Sequence, residues 1–292
     1  MTREREAAVL VPTTCELGEA PHWDAERDRL LWLDIGGRIL HTRDTAGGHR
    51  SFPLDRQTSF MAPTTTGGLV AAGGDLIRLT DPQGAFVRPL AHLPIPAGAR
   101  TNDGACDAQG RLWIGATDRT RDGAHGLLLR VDGRGQAQVL RTGISMSNGI
   151  DWDPTGDVAY HVDTSPGHVD RLQLDPQGDI TAAEPFIRTD LMPDGLAVDA
   201  EGGVWIAFWD GGAVHRYDAD GQLDEVVRVD GGRITSCAFG PPGSTELFIT
   251  TARQTMSEEE LASQPNAGAL FVIDVGIEGR GVHAFRSSEP ET

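Results

Sequence analysis

The 292-residue sequence contains no lysine, and all 25 of its basic residues are arginines. Schiff-base chemistry and Walker-type phosphate binding both depend on a lysine amine, so neither class of mechanism is open to this chain. Aspartate and glutamate together number 43, which gives a formal net charge of −18. Nucleic acids and anionic membranes bind basic surfaces, and the sequence therefore predicts neither kind of partner.

Cysteines and long apolar runs are also scarce. Cys15, Cys106 and Cys237 are far apart and form no C-x-x-C pair, which indicates three small buried residues rather than a disulfide framework or a zinc cluster. No stretch approaches the roughly 18 consecutive apolar residues of a membrane span. Residues 1–6 are charged and lead into only a few apolar residues, so we expect no secretory signal and a cytoplasmic protein.

A β-hairpin pattern recurs along the sequence. Its clearest copy has a polar tip, Pro193-Asp194-Gly195, then an alternating strand, a turn beginning at Asp199, and a second strand from Val204 to Trp209. Such alternation is typical of half-buried strands. Five residues lead from Asp194 to Asp199, and the same frame fits five other stretches. The residues at the first position of this frame are Glu19, Ser59, Asn102, Asn148, Asp194 and Thr235.

The second strands of the hairpins recur at the spacing of propeller blades. Their centres are at residues 32, 70, 113, 160, 206 and 249, and steps of about 38 to 47 residues match a four-stranded blade. The sequence therefore predicts an all-β, six-bladed β-propeller that forms one domain over residues 1–292. Because a closed ring has no free sheet edges, we expect residues 7–11 to complete the last blade beside the C-terminal strands. Helix is expected only at residues 257–263, where Ser257 can cap a first turn rich in glutamate.

The six frame residues should meet at one mouth of the central channel, because equivalent positions on innermost strands lie at one depth. The carboxylates of Glu19 and Asp194 and the amide of Asn148 then form a hard-oxygen set typical of a divalent cation site. The alternative interpretation is turn chemistry, since Asn-Asp-Gly, Ser-Asn-Gly and Pro-Asp-Gly all favour turns. A turn needs no oxygen five residues before each of six bends, which favours the cation site.

Four motifs occur in order along the chain: Leu17-Gly18-Glu19-Ala20-Pro21, Arg100-Thr101-Asn102-Asp103-Gly104, Ser147-Asn148-Gly149 and Pro193-Asp194-Gly195. Together they resemble the hallmark stretches of the SMP-30/gluconolactonase family, also called the regucalcin family, over essentially the full length. The late stretch Thr250-Thr251-Ala252-Arg253 is similar to bacterial aldonolactonases in particular. The family loop after the third hairpin is variable, and residues 118–124 match no known lid or substrate contact.

The resemblance implies one divalent metal at Glu19, Asn148 and Asp194, and substrate contacts at Arg100 and Asn102. Calcium is the first expectation for the metal, with zinc, manganese, magnesium and iron as alternatives. Family members hydrolyse sugar lactones, so the leading hypothesis is a metal-dependent hydrolase that opens a small-molecule sugar lactone, gluconolactone or aldonolactone in type, to the aldonic acid. Asp194 is the expected general base.

Two other hypotheses stay open at this point. One is a non-catalytic, calcium-binding regulatory propeller that uses the same site structurally. The other is a propeller esterase that acts on other lactones or on organophosphates. The particular sugar, the native metal and the oligomeric state do not follow from the sequence.

Overall fold

The structure is a computed structural model that describes residues 2–118 and 123–288. In this part of the chain it contains 25 β-strands and one short α-helix. The strands form six sheets, five with four strands and one with five. The helix found among the described residues has six residues, too few to span a bilayer.

Two short strands, β1 (Arg3–Glu6) and β2 (Ala8–Val11), precede the first blade. The strands of the first three blades, each listed from the channel outward, are β3 (Gly18–Asp24), β4 (Arg29–Asp34), β5 (Ile39–Asp44) and β6 (His49–Pro53); β7 (Phe60–Pro63), β8 (Leu69–Gly73), β9 (Leu76–Thr80) and β10 (Phe86–His92); and β11 (Ala99–Cys106), β12 (Leu112–Asp118), β13 (Gly126–Val131) and β14 (Ala137–Ile144).

The fourth and fifth blades continue the same order. Their strands are β15 (Ser147–Trp152), β16 (Val158–Asp163), β17 (His168–Leu174) and β18 (Ile180–Arg188); and β19 (Pro193–Val198), β20 (Val204–Phe208), β21 (Ala213–Tyr217) and β22 (Leu223–Arg228). The strands of the sixth blade are β23 (Arg233–Phe239), β24 (Glu246–Ala252) and β25 (Leu270–Asp274), with β2 outermost.

The six innermost strands contact one another in a closed cycle of β3, β7, β11, β15, β19 and β23, which returns to β3. The six-bladed propeller expected from the hairpin spacing is therefore confirmed. At the outer edges, β2 pairs antiparallel with β25, where Ala8 lies opposite Val272. Strand β1 pairs parallel with β22, where Arg3 lies opposite Glu225. The N-terminal segment thus joins the outer edges of blades five and six.

The one helix among the described residues is α1 (Glu258–Ser263), in the loop between β24 and β25. The Ser257 side chain accepts a hydrogen bond from the Glu260 backbone N–H, and the Glu260 carboxylate accepts one from the Ser257 backbone N–H. This capping box confirms the prediction of a short helix capped by Ser257.

A turn aspartate ties the first hairpin of two blades to their cores. In blade five, Asp199 Oδ1 accepts hydrogen bonds from the backbone N–H groups of Glu201 and Gly203. Its Oδ2 accepts from Trp205 Nε1 at 2.9 Å and from Arg216 Nε at 2.7 Å. Both Asp199 and Trp205 are fully buried. The carboxylate therefore closes the turn and satisfies the buried indole and guanidinium at once.

Blade three repeats this device with Asp107. One carboxylate oxygen accepts from the backbone N–H groups of Gln109 and Arg111, and the other accepts from Trp113 Nε1 at 2.9 Å. In both blades the tryptophan follows the turn aspartate by six residues. The sequence pattern of an aspartate turn and a tryptophan six positions later thus fixes the first hairpin against the blade core.

The C-terminal segment, residues 276–288, crosses the face of the ring opposite the frame residues. Phe285 is fully buried, and its backbone N–H donates to Pro63 O at 2.8 Å. The Arg286 N–H donates to Gly110 O at 2.8 Å. Since Pro63 and Gly110 belong to blades two and three, the segment links the end of the chain to blades far from it in sequence.

A narrow cavity of about 60 Å³ follows the ring axis and is lined by residues of all six blades. At its far end lie Arg280 and His283 of the C-terminal segment. Arg280 Nε donates to Asp151 Oδ1 at 2.9 Å, which anchors this segment to blade four.

We expect Asp199→Ala to destabilise the fold by about 2–4 kcal/mol, because it leaves Arg216 Nε and Trp205 Nε1 buried without their acceptor, while Arg216 Nη1 keeps its ion pair with Asp224. The matched control is Asp218→Ala. Asp218 accepts the two equivalent backbone hydrogen bonds of its own turn, from the N–H groups of Asp220 and Gln222, but it lies in a more exposed hairpin. The control should lose only about 1 kcal/mol. Denaturant unfolding midpoints measure both, and equal losses would contradict the role given to Asp199.

Candidate metal and substrate site

The five residues predicted for the site lie near the beginnings of four innermost strands. Glu19 is in β3, Arg100 and Asn102 are in β11, Asn148 is in β15, and Asp194 is in β19. All four strands belong to the closed inner cycle, and the residues therefore surround one mouth of the channel.

A β-bulge interrupts each of these strands at the frame position. Regular pairing with the second strand of the blade breaks at the following places: between Glu19 and His22, between Thr101 and Gly104, between Ser147 and Ile150, and between Pro193 and Leu196. A bulge leaves residues unpaired and redirects their side chains. This explains how side chains of four different strands come to interact across the channel.

The Asn-Gly and Asp-Gly pairs are not turns. Asn148-Gly149 and Asp194-Gly195 lie inside β15 and β19, so the turn interpretation is wrong for both. A Cβ atom on Gly149 would lie 2.5 Å from the Leu196 backbone nitrogen, and one on Gly195 would lie 2.1 Å from Ser236 Oγ. The glycines are needed because neighbouring innermost strands approach closely at this point.

Glu19 and Asp194 are both buried. Burial raises the pKa of each carboxyl well above its ordinary value, and the charge of Asp194 raises that of Glu19 further. The charge of Asp103 acts in the same direction on both, whereas Arg100 lowers the pKa of Glu19. The site therefore concentrates negative charge that a divalent cation would neutralise.

Asn148 is oriented by Thr164. The Thr164 hydroxyl donates its single proton to Pro193 O at 2.7 Å, so it must accept from the Asn148 amide, whose Nδ2 lies 3.0 Å away. This leaves Asn148 Oδ1 directed away from Thr164, and it is buried with no hydrogen-bond partner. Asp194 Oδ1 is likewise buried without a partner.

Two buried acceptor oxygens without donors fit a cation ligand set, because unpaired buried acceptors otherwise cost folding free energy. Within residues 2–118 and 123–288, no group of three or more His, Cys, Asp or Glu side chains could hold a metal ion. The fit therefore depends on the Asn148 amide oxygen acting together with Glu19 and Asp194.

Arg100 and Asn102 form a connected pair beside this set. Arg100 Nη1 donates to Asn102 Oδ1 and to Thr101 O, both at 3.0 Å. Asn102 Nδ2 donates to Ser147 O at 3.0 Å, which links blades three and four. Asn102 thus fixes the position of the Arg100 guanidinium at the mouth, where it is only partly buried.

The two remaining frame residues, Ser59 and Thr235, form hydrogen bonds between neighbouring blades. Ser59 Oγ donates to Thr101 Oγ1 at 3.2 Å, between blades two and three. Thr235 Oγ1 donates to Gly18 O at 2.5 Å, between blades six and one. Their oxygens hold neighbouring innermost strands together.

Sequence reasoning assigned no role to Asp103 or Thr164. Asp103 is the second residue of the bulge in β11 and lines the axial cavity; burial raises its pKa to about 6. Its position inside the motif from Arg100 to Gly104 was the available signal. Thr164 lies outside the four motifs, and its contact depends on the fold. Residues 119–122 of the variable loop lie outside the described residues.

The chain belongs to the SMP-30/gluconolactonase/LRE-like family, whose profile matches residues 17–253. It is 36% identical over 270 residues to a 6-deoxy-6-sulfogluconolactonase of Pseudomonas putida, covering 90% of this chain and 92% of the relative. It is 34% identical over 285 residues to the pentonolactonase XacC of Haloferax volcanii, covering 93% and 95%. These relatives support a sugar-lactonase enzyme.

A solved structure is also similar over the whole chain. Regucalcin of Agrobacterium tumefaciens, described as a calcium-binding protein, superposes with a TM-score of 0.91 at 32% identity, and the match covers 98% of this chain and 100% of that one. The six-bladed architecture and the family expected from the four motifs are both confirmed.

The metal-free protein should lose stability as the pH rises above the ordinary carboxyl range, because a carboxyl with a raised pKa holds its proton more tightly when folded. Glu19→Gln removes one of these groups. In a chelator at pH 7 to 8 it should melt above wild type, by about 2 to 4 °C for each 1 kcal/mol of repulsion removed. At low pH, where the carboxyls are protonated, the difference should vanish.

The control for this measurement is Glu259→Gln, which removes an exposed carboxylate of helix α1. It should not change the pH dependence of melting. With a divalent cation present the order should reverse, because only wild type gains stability from binding. If Glu19→Gln melts like wild type both with and without metal, Glu19 is not part of the metal site.

Proposed function

We propose that this protein is a metal-dependent hydrolase that opens sugar lactones of the gluconolactone or aldonolactone type to aldonic acids. The observation that carries the proposal is the pair of buried, unpartnered oxygens, Asn148 Oδ1 and Asp194 Oδ1, at the same channel mouth as the buried carboxyl of Glu19. Family membership and the names of the relatives support the substrate class.

Glu19, Asn148 and Asp194 are the residues that would hold one divalent cation. Calcium suits an all-oxygen set, and the regucalcin relative is described as calcium-binding; zinc, manganese, magnesium and iron are alternatives. When bound, the cation supplies positive charge that polarises an ester carbonyl and acidifies water. Two carboxylates balance the charge of one such ion.

Asp194 is assigned as the general base. The Asp194 carboxylate can accept a proton from water as that water attacks the lactone carbonyl carbon. Burial, and then the charge of Asp103, raises the pKa of Asp194 in the metal-free protein, whereas a bound cation would lower it. When the ring C–O bond breaks, the same proton passes to the ring oxygen, and the product is an open hydroxy acid.

Arg100 and Asn102 bind the substrate. Arg100, held by the Asn102 amide, can donate to a substrate hydroxyl or to the carbonyl oxygen as negative charge develops on it. A charge-assisted hydrogen bond at this atom lowers the barrier, because it is stronger in the transition state than in the ground state.

Purified protein should hydrolyse aldonolactones, lose this activity in a chelator, and recover it with one divalent metal. A pH-indicator assay over a panel of hexono- and pentonolactones measures the turnover. Metal binding without turnover of any ester would favour the regulatory, calcium-binding propeller. Preference for aryl esters or organophosphates over every sugar lactone would favour the broader esterase. The cytoplasmic location stays a prediction.

Two substitutions separate metal binding from substrate binding. Arg100→Leu should keep metal affinity near wild type and lower turnover by roughly 30- to 1,000-fold, which corresponds to about 2–4 kcal/mol of lost hydrogen bonding. Asp194→Asn should lower both, because Asp194 is assigned as ligand and as base. Metal titration and steady-state kinetics on both variants provide the comparison. Loss of metal by Arg100→Leu as severe as that of Asp194→Asn would make these roles wrong.

A further inference from the structure

A polar cleft of about 430 Å³ opens beside the candidate site at the same mouth of the channel. Residues of blades one, two, three and six line it, and its main polar side chains are Glu16, Arg56, Gln57, Asp75, Arg100 and Gln254. Its floor reaches Ser59 and Thr101, which lie at the depth of the frame residues. Since Arg100 belongs to both the cleft and the candidate site, a substrate held by Arg100 can extend into the cleft.

The loop of residues 55–58 presents Arg56 to this cleft, and the buried Arg78 braces the loop from below. Arg78 is 1% exposed. Its Nη1 donates to Asp55 Oδ1 at 2.5 Å, and its Nη2 donates to Thr58 Oγ1 at 2.7 Å. The Thr58 hydroxyl in turn donates to Arg56 O at 3.3 Å. Both sides of Arg56 are therefore fixed to one buried cation.

Packing against β8 also holds this loop. A Cβ atom on Gly73 would lie 2.4 Å from Gln57 O, so the loop backbone rests directly on the strand. A binding group is most effective when its support is rigid before the ligand arrives. The backbone that carries Arg56 is rigid in this sense, whereas its side chain is half exposed.

The Arg56 guanidinium is incompletely used within the protein. Its Nε lies 3.4 Å from Asp55 Oδ2, at the long limit of an ion pair. Its two terminal nitrogens have no hydrogen-bond partner among the described residues. Asp55 is shared with Arg78, so the three side chains together carry one net positive charge.

The other charges of the cleft do not cancel this one directly. Glu16 is exposed to solvent. The Asp75 side chain is 62% exposed and lies 3.4 Å from His92 Nδ1. Solvated carboxylates at the rim act weakly across the cleft. A planar pair of free N–H groups matches a carboxylate or phosphate better than a hydroxyl.

We propose that Arg56 is a specificity-determining residue that binds an anionic group on the end of the lactone remote from its ring carbonyl. The proposal rests on the lactonase function proposed above: Arg100 holds the reacting end, and the cleft leads the rest of the molecule to Arg56. The anionic group is a carboxylate or a phosphate, and the two are distinguished by substrates that carry one or the other.

The test compares three lactones with wild type and with Arg56→Gln. They are glucono-1,5-lactone, which is neutral, glucaro-1,4-lactone, which carries a carboxylate, and 6-phosphoglucono-1,5-lactone, which carries a phosphate. Wild type should prefer at least one anionic lactone. Arg56→Gln should lower kcat/KM for that lactone on the order of tenfold, mainly through KM, and should leave the neutral lactone unchanged.

Arg50→Gln is the matched control, because it makes the same change of charge on the exposed outer strand β6. It should alter none of the three rates. An equal effect of both substitutions would show a long-range field rather than a contact and would overturn the proposal. An unchanged ratio of anionic to neutral turnover in Arg56→Gln would overturn it as well.

A binding measurement keeps this test separate from the lactonase assignment. By titration calorimetry with metal present, wild type should bind glucarate, with a second carboxylate, more tightly than gluconate, and Arg56→Gln should lose the difference. If no lactone is hydrolysed but this difference appears, the proposed function fails while the anion site stands. If lactones are hydrolysed and the difference is absent, the role of Arg56 is wrong.

Discussion

Three carboxyl groups, those of Glu19, Asp103 and Asp194, lie close together at one mouth of the channel, and their mutual repulsion has to be balanced by the rest of the structure. Glu19, Asp103 and Asp194 come from three blades, and burial raises the pKa of all three. Buried charges of one sign cost folding free energy, so a ring built only for stability would place apolar side chains there. Binding of one divalent cation, as proposed above, would offset that cost. Without a cation, the contacts that close the ring have to keep these carboxylates close together against their repulsion.

Polar contacts between innermost strands supply part of this closure. Four links are formed by side chains at the mouth: Ser59 to Thr101, Asn102 to Ser147, Thr164 to Pro193 and Thr235 to Gly18. They join blades two to three, three to four, four to five and six to one. The frame positions thus have two tasks in the proposed site. Ser59 and Thr235 join blades, while Glu19, Asn148 and Asp194 would supply oxygens to a cation. Asn102 serves both sides, because its amide nitrogen joins blades and its oxygen positions Arg100.

The sequence could predict the number of blades and the short helix, but not the β-bulges inside the innermost strands or the long-range pairing of the chain ends. Blade number followed from hairpin spacing, and helix α1 from Ser257 and the glutamates after it, because both signals are local. The bulges could not be predicted, because a bulge is defined by the register of two paired strands, and Asn148-Gly149 reads equally well as a turn. The parallel pairing of β1 with β22 and the path of residues 276–288 depend on contacts hundreds of residues apart. Asp103 faces Glu19 and Asp194 only because the bulge in β11 turns it toward the channel, and the sequence does not show that bulge.

The narrow axial cavity shows from which side a substrate can reach the candidate site. The axial cavity measures about 60 Å³ and ends at Arg280 and His283, with Arg280 anchored on Asp151. Such a volume holds roughly four waters, far less than a sugar lactone. Water and protons can occupy the axis, but a substrate has to enter from the mouth that carries Glu19, Asn148 and Asp194. The cleft of about 430 Å³ at that mouth is large enough for a sugar ring and its side chain. In the proposed binding mode, a lactone whose carbonyl reaches Arg100 and Asp194 would keep its far end in the cleft, where Arg56 would select among substrates.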